Sequence, residues 1–161
     1  MGGFSTVAGG KHASTHVSGG ADAITSKLDY RAMNIVCARG TKTITFSTTS
    51  TSYVDAGLSI SITLPVASNV LVFAQVFGLF NTSAGYHCYE RIVRDTTGIR
   101  EIYLSYAGVE KFNSVIQTLD VNIAAGTYTY KLQVKVDGGT GYWEMSVSPQ
   151  HGEIVAVAFP Y

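Results

Sequence analysis

Alternation of hydrophobic and polar residues predicts β-strands over most of the chain. In residues 127–137 (TYTYKLQVKVD) every second side chain is apolar, which is the period of a half-buried antiparallel strand. Residues 58–65 (LSISITLP) alternate in the same way. Residues 69–80 (NVLVFAQVFGLF) are apolar on both sides, which predicts a central strand covered on both faces. Shorter β patterns occupy residues 41–49, 86–95, 99–108, 142–148 and 153–161.

Turn-forming residues separate these segments, and no segment of this region carries a convincing helical stripe. Asp55-Ala56-Gly57 and Asp137-Gly138-Gly139 are two such turns. About eight to ten short strands without helices predict an all-β fold, an antiparallel two-sheet β-sandwich. The jelly roll is the preferred version, because it arranges many strands in two facing sheets. The strand over 153–161 is expected to lie inside a sheet and to be held there by its neighbours.

The first 30 residues follow neither period and carry only scattered apolar side chains among Gly, Ser, Thr, Ala and His. Such a segment buries too little apolar area to offset the entropy lost on ordering. The sequence therefore predicts two regions. Residues 1–30 form an extended N-terminal arm, flexible alone or ordered by assembly, and residues 31–161 form the jelly-roll domain.

Composition limits the partners. The chain of 161 residues is 46% hydrophobic and only 14% charged, with eleven basic residues against eleven acidic ones. This balance favours neither nucleic acid nor an anionic membrane as a partner, and a net charge near zero favours self-association. The start of the chain lacks the features of a secretory signal. The apolar run at 69–80 falls short of the roughly 20 residues of a membrane span.

Several strand segments together resemble a known class of viral proteins. They are residues 49–65 (TSTSYVDAGLSISITLP), 69–78 (NVLVFAQVFG), 89–95 (YERIVRD) and 124–141 (AAGTYTYKLQVKVDGGTG), followed by a closing hydrophobic strand. In this order they resemble the jelly-roll heads of bacteriophage and archaeal virus virion proteins, of the tail-fibre head, receptor-binding and capsid-decoration types. Those heads are similar in layout to trimeric tumour-necrosis-factor and C1q proteins. The resemblance implies a homotrimeric component of the virion exterior or tail.

The segment KHASTHVSGGADAI, residues 11–24, resembles short His-rich and Gly-rich segments that precede or separate folded modules in virion fibre and tail proteins. It supplies the candidate assembly residues, which are Lys11, His12, His16, Gly19, Gly20 and Asp22. The spacing of a phosphate loop is absent. This segment is therefore expected to contact other virion proteins.

His12 and His16 are spaced like a zinc-protease pair, but the glutamate that acts as general base there is missing. In an extended strand, residues four apart lie about 13 Å apart, which is too far for one metal ion. No metal and no cofactor are therefore expected in a single chain. Along a threefold axis, however, three copies of one histidine could converge, so His12 and His16 stay candidates there. Solvent-facing or inter-subunit hydrogen bonding is the alternative for both.

No catalytic group is predicted. His87 and Cys88 are neighbours in a strand and face opposite ways, so they cannot act as a pair. His151 is expected in a solvated turn, and five carboxylates are interpreted as surface charges: Glu90, Glu101, Glu110, Asp120 and Glu144. Cys37 and Cys88 lie in apolar strands and are expected to be buried free thiols.

Ten tyrosines supply a large amphipathic contact area. The candidates for a surface contact are Tyr86, Tyr89, Tyr103, Tyr106 and Tyr142. They could equally be half-buried sheet residues, or part of the trimer interface. Trp143, which alternates with Met145, is expected in the core.

The sequence thus predicts a non-enzymatic viral structural protein, a homotrimer that assembles through its sheet faces and its N-terminal arm. Its partners would be copies of itself and other capsid or tail proteins. One alternative is a receptor-binding fibre head that recognises a host-surface glycan or protein. Another is an extracellular pilus-like subunit that assembles by strand addition.

Overall fold

A computed structural model describes residues 35–105, 111–145 and 151–161. These residues contain ten β-strands: β1 (Val36–Lys42), β2 (Phe46–Thr48), β3 (Val54–Leu64), β4 (Ser68–Asn81), β5 (His87–Arg94), β6 (Thr97–Ser105), β7 (Phe112–Ile123), β8 (Gly126–Val136), β9 (Gly141–Trp143) and β10 (Gly152–Pro160). Across the described ranges no helix has the length and apolarity needed to cross a membrane. The predicted arm lies outside these ranges.

The strands form two antiparallel sheets. Sheet A contains the path β1-β10-β4-β9-β2, with β7 paired to β4 as well. Since β7 occupies one edge of β4, both β10 and the short β9 pair along the other edge. β1 then pairs with β10, and β2 with β9. Sheet A is therefore four strands wide. β9 takes the place of β10 along one part of β4, and β2 takes the place of β1 beside it.

Sheet B has the order β3-β8-β5-β6. Two four-strand-wide antiparallel sheets that face each other form a β-sandwich, and this confirms the predicted jelly roll. The strand predicted over 153–161 is β10, and it lies between β1 and β4 as expected. The segment with the clearest alternation forms β8. Its apolar side chains face the core, where Tyr128 is half-buried and the others are buried.

The core fills the space between the sheets. Each strand contributes alternate side chains, and the largest fully buried ones include Trp143, Tyr130, Leu58, Ile62, Leu132 and Ile154. Burying a side chain of the Val, Leu or Ile class contributes roughly 1.5–3 kcal/mol, so this two-sided core is the main source of stability. The expectation that Trp143 and Met145 are core residues is confirmed.

β4 is covered less completely than its sequence predicts. Val70, Val72, Ala74 and Val76 point into the core and are buried. The alternate residues Leu71, Phe73 and Phe77 face away from sheet B and are only half-buried. The described residues therefore cover this strand on one face only. Its outer face retains apolar side chains that these residues leave partly open.

Two polar contacts connect the sheets through the core. The first centres on Glu90 of β5, which is 1% exposed, so the interpretation of Glu90 as a surface charge is wrong. Trp143 Nε1 donates to its Oε1 at 3.0 Å, and the Ser114 hydroxyl donates to its Oε2 at 2.6 Å. Burial raises the pKa of Glu90 to about 7, although both hydrogen bonds act in the opposite direction.

The second contact centres on Asp120 of β7. Its Oδ2 accepts from Arg94 Nη1 at 2.7 Å and from the Tyr130 hydroxyl at 2.9 Å. Arg94 and Tyr130 belong to sheet B and Asp120 to sheet A. Asp120 therefore joins the two sheets rather than serving as an isolated surface charge, which also corrects its sequence-based interpretation.

Gly40 of β1 lies where the two sheets approach closely. A Cβ atom at this position would sit 2.6 Å from Ile60 Cγ2 and 2.7 Å from the Ser59 carbonyl oxygen. Because one of these atoms is backbone, Gly40→Ala is expected to force β1 outwards and to lower the free energy of unfolding by about 1–3 kcal/mol. Urea denaturation followed by circular dichroism measures this loss.

Gly98→Ala is the matched control. A Cβ there would meet the Arg91 side chain at 3.6 Å, an ordinary contact, so its urea midpoint should stay near the wild-type value. Equal midpoints for the Gly40→Ala and Gly98→Ala variants would show that β1 is not held tightly against β3.

Candidate interaction surfaces

Part of the predicted site lies outside the described residues. This holds for the arm residues Lys11, His12, His16, Gly19, Gly20 and Asp22, and for Tyr106. The arm contacts and the threefold-axis metal site therefore stay predictions. In the ranges that the structure does cover, no group of three or more His, Cys, Asp or Glu side chains could hold a metal ion.

The outer side of sheet A carries a continuous set of hydrophobic side chains, called here the apolar face. Strand register places them in rows across neighbouring strands, one of which runs from Cys37 through Val157 and Leu71 to Leu119. The next row pairs Val155 with Phe73. The face comprises Leu71, Phe73, Val115, Leu119, Val121, Val155, Val157 and Phe159.

The edge strand β7 is the most open part of the apolar face. Val115, Leu119 and Val121 alternate along it, and each is more than half exposed, at 52–54%. Two glutamines, Gln75 and Gln117, interrupt the face. Monomeric proteins rarely expose apolar patches that continue across several strands, and such patches mark interaction sites.

Charged groups on this side lie at its rim. Arg39 Nε and Glu153 Oε1 form an ion pair of 2.5 Å between β1 and the start of β10. A second pair joins Lys111 and Glu144 at 2.6 Å, beside the stacked rings of Phe80 and Tyr142, whose centroids are 4.8 Å apart. An apolar centre with a polar rim is the usual anatomy of a protein interface.

The outer side of sheet B has a different character. His87 and Tyr89 of β5 and Tyr103 of β6 form what we call the tyrosine cluster. The centroid of Tyr103 lies 5.9 Å from that of Tyr89 and 5.8 Å from that of His87. Tyr103 is 64% exposed, so this cluster presents an aromatic ring to solvent.

Asp137 anchors the tyrosine cluster. Its carboxylate accepts from the His87 backbone N–H at 2.6 Å, lies 2.5 Å from His87 Nδ1, and accepts weakly from the Tyr89 hydroxyl at 3.5 Å. Slight burial acts to raise the pKa of Asp137, but the hydrogen bonds from His87 outweigh it and hold that pKa below its usual range. The carboxylate therefore stays ionised and fixes the orientation of the histidine ring.

Cations flank the tyrosine cluster. The Arg91 guanidinium lies 3.9 Å from the ring centre of Tyr53, and its Nε and Nη2 donate to Gln133 Oε1 at 2.9 and 2.6 Å. Lys135 Nζ lies 4.6 Å from the ring centres of both Tyr53 and Tyr89. Burial, and then the nearby Glu101, raise the pKa of Tyr53, so its hydroxyl stays protonated.

A cavity of about 260 Å³ adjoins these groups. It lies at the β5–β6 hairpin and is lined by Arg91, Gly98, Ile99, Arg100 and Glu101. Arg91 and Glu101 lie opposite each other across β5 and β6 and contribute one charge of each sign, whereas Arg100 pairs with the core-facing Ile92 and belongs to the other face of β6. The aromatic, cationic and carboxylate groups thus occupy one side of sheet B.

The structure separates the tyrosines that the sequence grouped. Tyr89 and Tyr103 lie together, whereas Tyr142 belongs to the rim of sheet A. Tyr86 is 45% exposed and packs its ring towards Gly138. Sequence reasoning missed the roles of His87, Tyr53, Arg91 and Lys135. Strand alternation could have placed His87, Tyr89 and Arg91 on one face of β5, since they are two residues apart.

The cysteines and His151 also differ from expectation. Both cysteines are free, and Cys88 is buried as predicted, with burial raising its thiol pKa to about 12. Cys37 is exposed, so its predicted burial is wrong: it points outwards from β1 at the end of the apolar face. His151 is half-buried rather than solvated, and its Nδ1 is buried without a hydrogen-bond partner among the described residues.

No protein-family model and no curated protein matches the chain. Solved structures do match it. The Eiger TNF from S. frugiperda aligns with a TM-score of 0.52 and 10% identity, over 77% of this chain and 92% of that one. Infectious bursal disease virus, Gt strain, aligns with a TM-score of 0.42 and 9% identity, over 78% of this chain and 37% of that one.

A third match is the carbohydrate-binding module TmCBM61, in complex with β-1,4-galactotriose. It has a TM-score of 0.29 and 12% identity, over 80% of this chain and 83% of that one. Of these three alignments, the one with the Eiger TNF has a TM-score above 0.5, and its 10% identity shows a shared jelly-roll-like fold alone.

Proposed function

We propose that this chain is a non-enzymatic structural protein of a virion surface, and that it assembles as a homotrimer through the apolar face of sheet A. The observation that supports this function best is the exposure of Val115, Leu119 and Val121 beside the half-buried outer residues of β4. A strand that is apolar on both sides needs cover on both sides, and the part of the chain that the structure describes supplies only one.

A second copy suits the apolar face better than the N-terminal arm does. The face carries its charges as pairs at the rim, so two copies can meet without burying an unpaired charge. The arm is rich in Gly, Ser, Thr and His, and its few apolar residues lack the alternation that would match a row of the face. We assign the arm instead to contacts with an adjoining capsid or tail protein.

The shape of the surface supports a ring of copies. The apolar residues include both the broad face of β4 and β10 and the edge strand β7. The β7 edge of one copy can pack on the β4–β10 face of the next, which is a heterologous contact that can close into a ring. A threefold ring agrees with the trimer that the sequence resemblance implies.

The mass in solution tests this proposal. Light scattering on the full chain should give three times the chain mass of 17.2 kDa. Leu119→Glu places a carboxylate at the centre of the interface and should give monomers, since a charge buried there has no partner. Circular dichroism should show that the strands persist, because Leu119 points away from the core.

Ser61→Glu is the control, because it adds the same charge to an exposed position on sheet B. This variant should keep the trimer mass. A wild-type chain that stays monomeric at high concentration, or a Leu119→Glu variant that keeps the wild-type mass, would overturn the proposal.

A further inference from the structure

The outer side of sheet B combines exposed aromatic rings with cations that lack carboxylate partners among the described residues. It lies opposite the apolar face, so a trimer assembled through sheet A leaves it open. The relevant groups come from three adjacent strands, β8, β5 and β6. Tyr89 and Arg91 project outwards because their neighbours in β5 point into the core, and Lys135 and Tyr103, which pair with Tyr89, lie on the same face.

The aromatic part is held in place before any ligand arrives. Tyr103 stands beside Tyr89 across the β5–β6 pair, and its ring contacts the edge of His87. Asp137 fixes His87 through two contacts. Because an ordered aromatic ring loses little entropy on binding, an exposed tyrosine in such a setting is a suitable contact surface.

The cations on this side are unequally paired. Lys131 forms an ion pair with Asp55 at 3.1 Å. Arg91 and Lys135 form no ion pair with any carboxylate that the structure describes. Arg91 donates to the neutral Gln133 amide and lies over the Tyr53 ring, so no ion pair neutralises its positive charge and this charge is available to an anion.

Arg91 is also oriented towards the cavity. Its Nη1 lies 3.6 Å from the position that a Cβ atom on Gly98 would take, and Gly98 lines the cavity. Tyr53 supports the guanidinium from one side and Gln133 holds two of its nitrogens. A guanidinium held in this way presents its remaining N–H groups to a carboxylate in a fixed direction.

The spacing joins the two parts into one site. Glu101 lines the cavity, and Tyr103 follows two residues later on the same face of β6. Alternate residues of a strand lie about 6.6 Å apart. One sugar ring can therefore stack on Tyr103 while a carboxylate that it carries, or that its neighbour carries, reaches Arg91.

We propose that this side of sheet B binds an acidic saccharide, with a sugar ring on Tyr103 and its carboxylate on Arg91. The apolar C–H face of the ring contacts the tyrosine. The hydroxyl groups of the ring meet Glu101 and Asp137, which accept, and Lys135, which donates. This binding function goes beyond assembly, and it would give each copy in the trimer one outward-facing site.

Calorimetric titration of the full chain tests the site. The probes are a disaccharide that ends in glucuronic acid and the same disaccharide with its carboxylate converted to the methyl ester. The acid should bind, and the ester should bind at least about tenfold more weakly, because it cannot pair with Arg91. Tyr103→Ala and Arg91→Gln should each weaken binding of the acid by about tenfold.

Tyr161→Ala is the matched control for the aromatic contact, since Tyr161 is 66% exposed against 64% for Tyr103. It should bind like the wild type. The molecular mass of every variant is measured in parallel, so loss of saccharide binding is separated from loss of the trimer.

Three results would overturn the inference. The acid and the ester could bind equally, which would leave Arg91 without a role. A polyglutamate peptide could bind as tightly as the acidic disaccharide, which would make the site a protein-binding one. The Tyr103→Ala variant could bind the acid like the wild type, which would remove the aromatic contact.

Discussion

Raising the pH from about 5 to about 8 is expected to lower the free energy of unfolding by roughly 2–3 kcal/mol through Glu90 alone. Burial raises the pKa of this carboxyl to about 7 in the folded chain, whereas its ordinary value is 4.5. Between these two values the folded state holds a proton that the unfolded state has released. The stabilisation is therefore complete below pH 4.5 and is lost as the pH rises through about 7.

Glu90→Gln isolates this effect. The amide has the shape of the protonated carboxyl, so its oxygen can accept from Trp143 Nε1 and its nitrogen can donate to the Ser114 hydroxyl. Urea denaturation at a series of pH values and one fixed protein concentration measures both proteins. Other groups titrate equally in the wild type and the variant, so a difference in how their free energies of unfolding change with pH belongs to Glu90. The same pH dependence in both proteins would mean that Glu90 is ionised in the fold at all these pH values.

Trp143→Ala is expected to destabilise the fold severely. The side chain is fully buried at the junction of β9 with β2 and β4, and removing it leaves a large cavity. Substitutions of this class cost about 3–5 kcal/mol. The variant also deprives Glu90 of a donor within the core. We expect a domain that is unfolded or barely stable at ambient temperature.

Trp143→Phe separates the two contributions. It keeps most of the packing and removes the N–H donor, so the free energy of unfolding should fall by about 1–3 kcal/mol. Because Trp143 is the single tryptophan of the chain, its fluorescence follows unfolding in the wild type. Circular dichroism follows both variants. A Trp143→Ala variant as stable as the wild type would contradict the assignment of this residue to the core.

The positions of strands in the sequence could be predicted wherever apolar and polar residues alternate strictly. β3, β8 and β10 appear close to the positions that their patterns indicated, because one buried face imposes a period of two. The same period also held information that the sequence interpretation did not use. Cys88, Glu90 and Ile92 are alternate residues of β5, so Glu90 shares the buried face of its neighbours. Its polar flanking residues obscured that signal.

The grouping of side chains across strands could not be predicted in this way. Alternation says which face of its own strand a residue occupies, but not which strand lies beside it. Sheet B places β8 next to β5, although β6 and β7 separate them along the chain. Lys135 therefore reaches Tyr89 only through the topology. Tyr142 and Tyr89 were grouped by their sequence patterns, but Tyr142 lies in sheet A, because the topology pairs β9 with β2.

The position of β10 between β1 and β4 has a kinetic consequence. Arg39 and Glu153, which pair across β1 and β10, are 114 positions apart in the chain. Pairings this distant close late, since the entropy of a long loop must be overcome before any contact compensates for it. Until β10 inserts, β1 has no neighbour in sheet A and β4 has one open edge. The apolar face lacks Val155 and Val157 over the same interval. A chain in which β10 has not yet inserted therefore lacks part of the surface of the proposed trimer, so the proposed assembly requires a folded subunit.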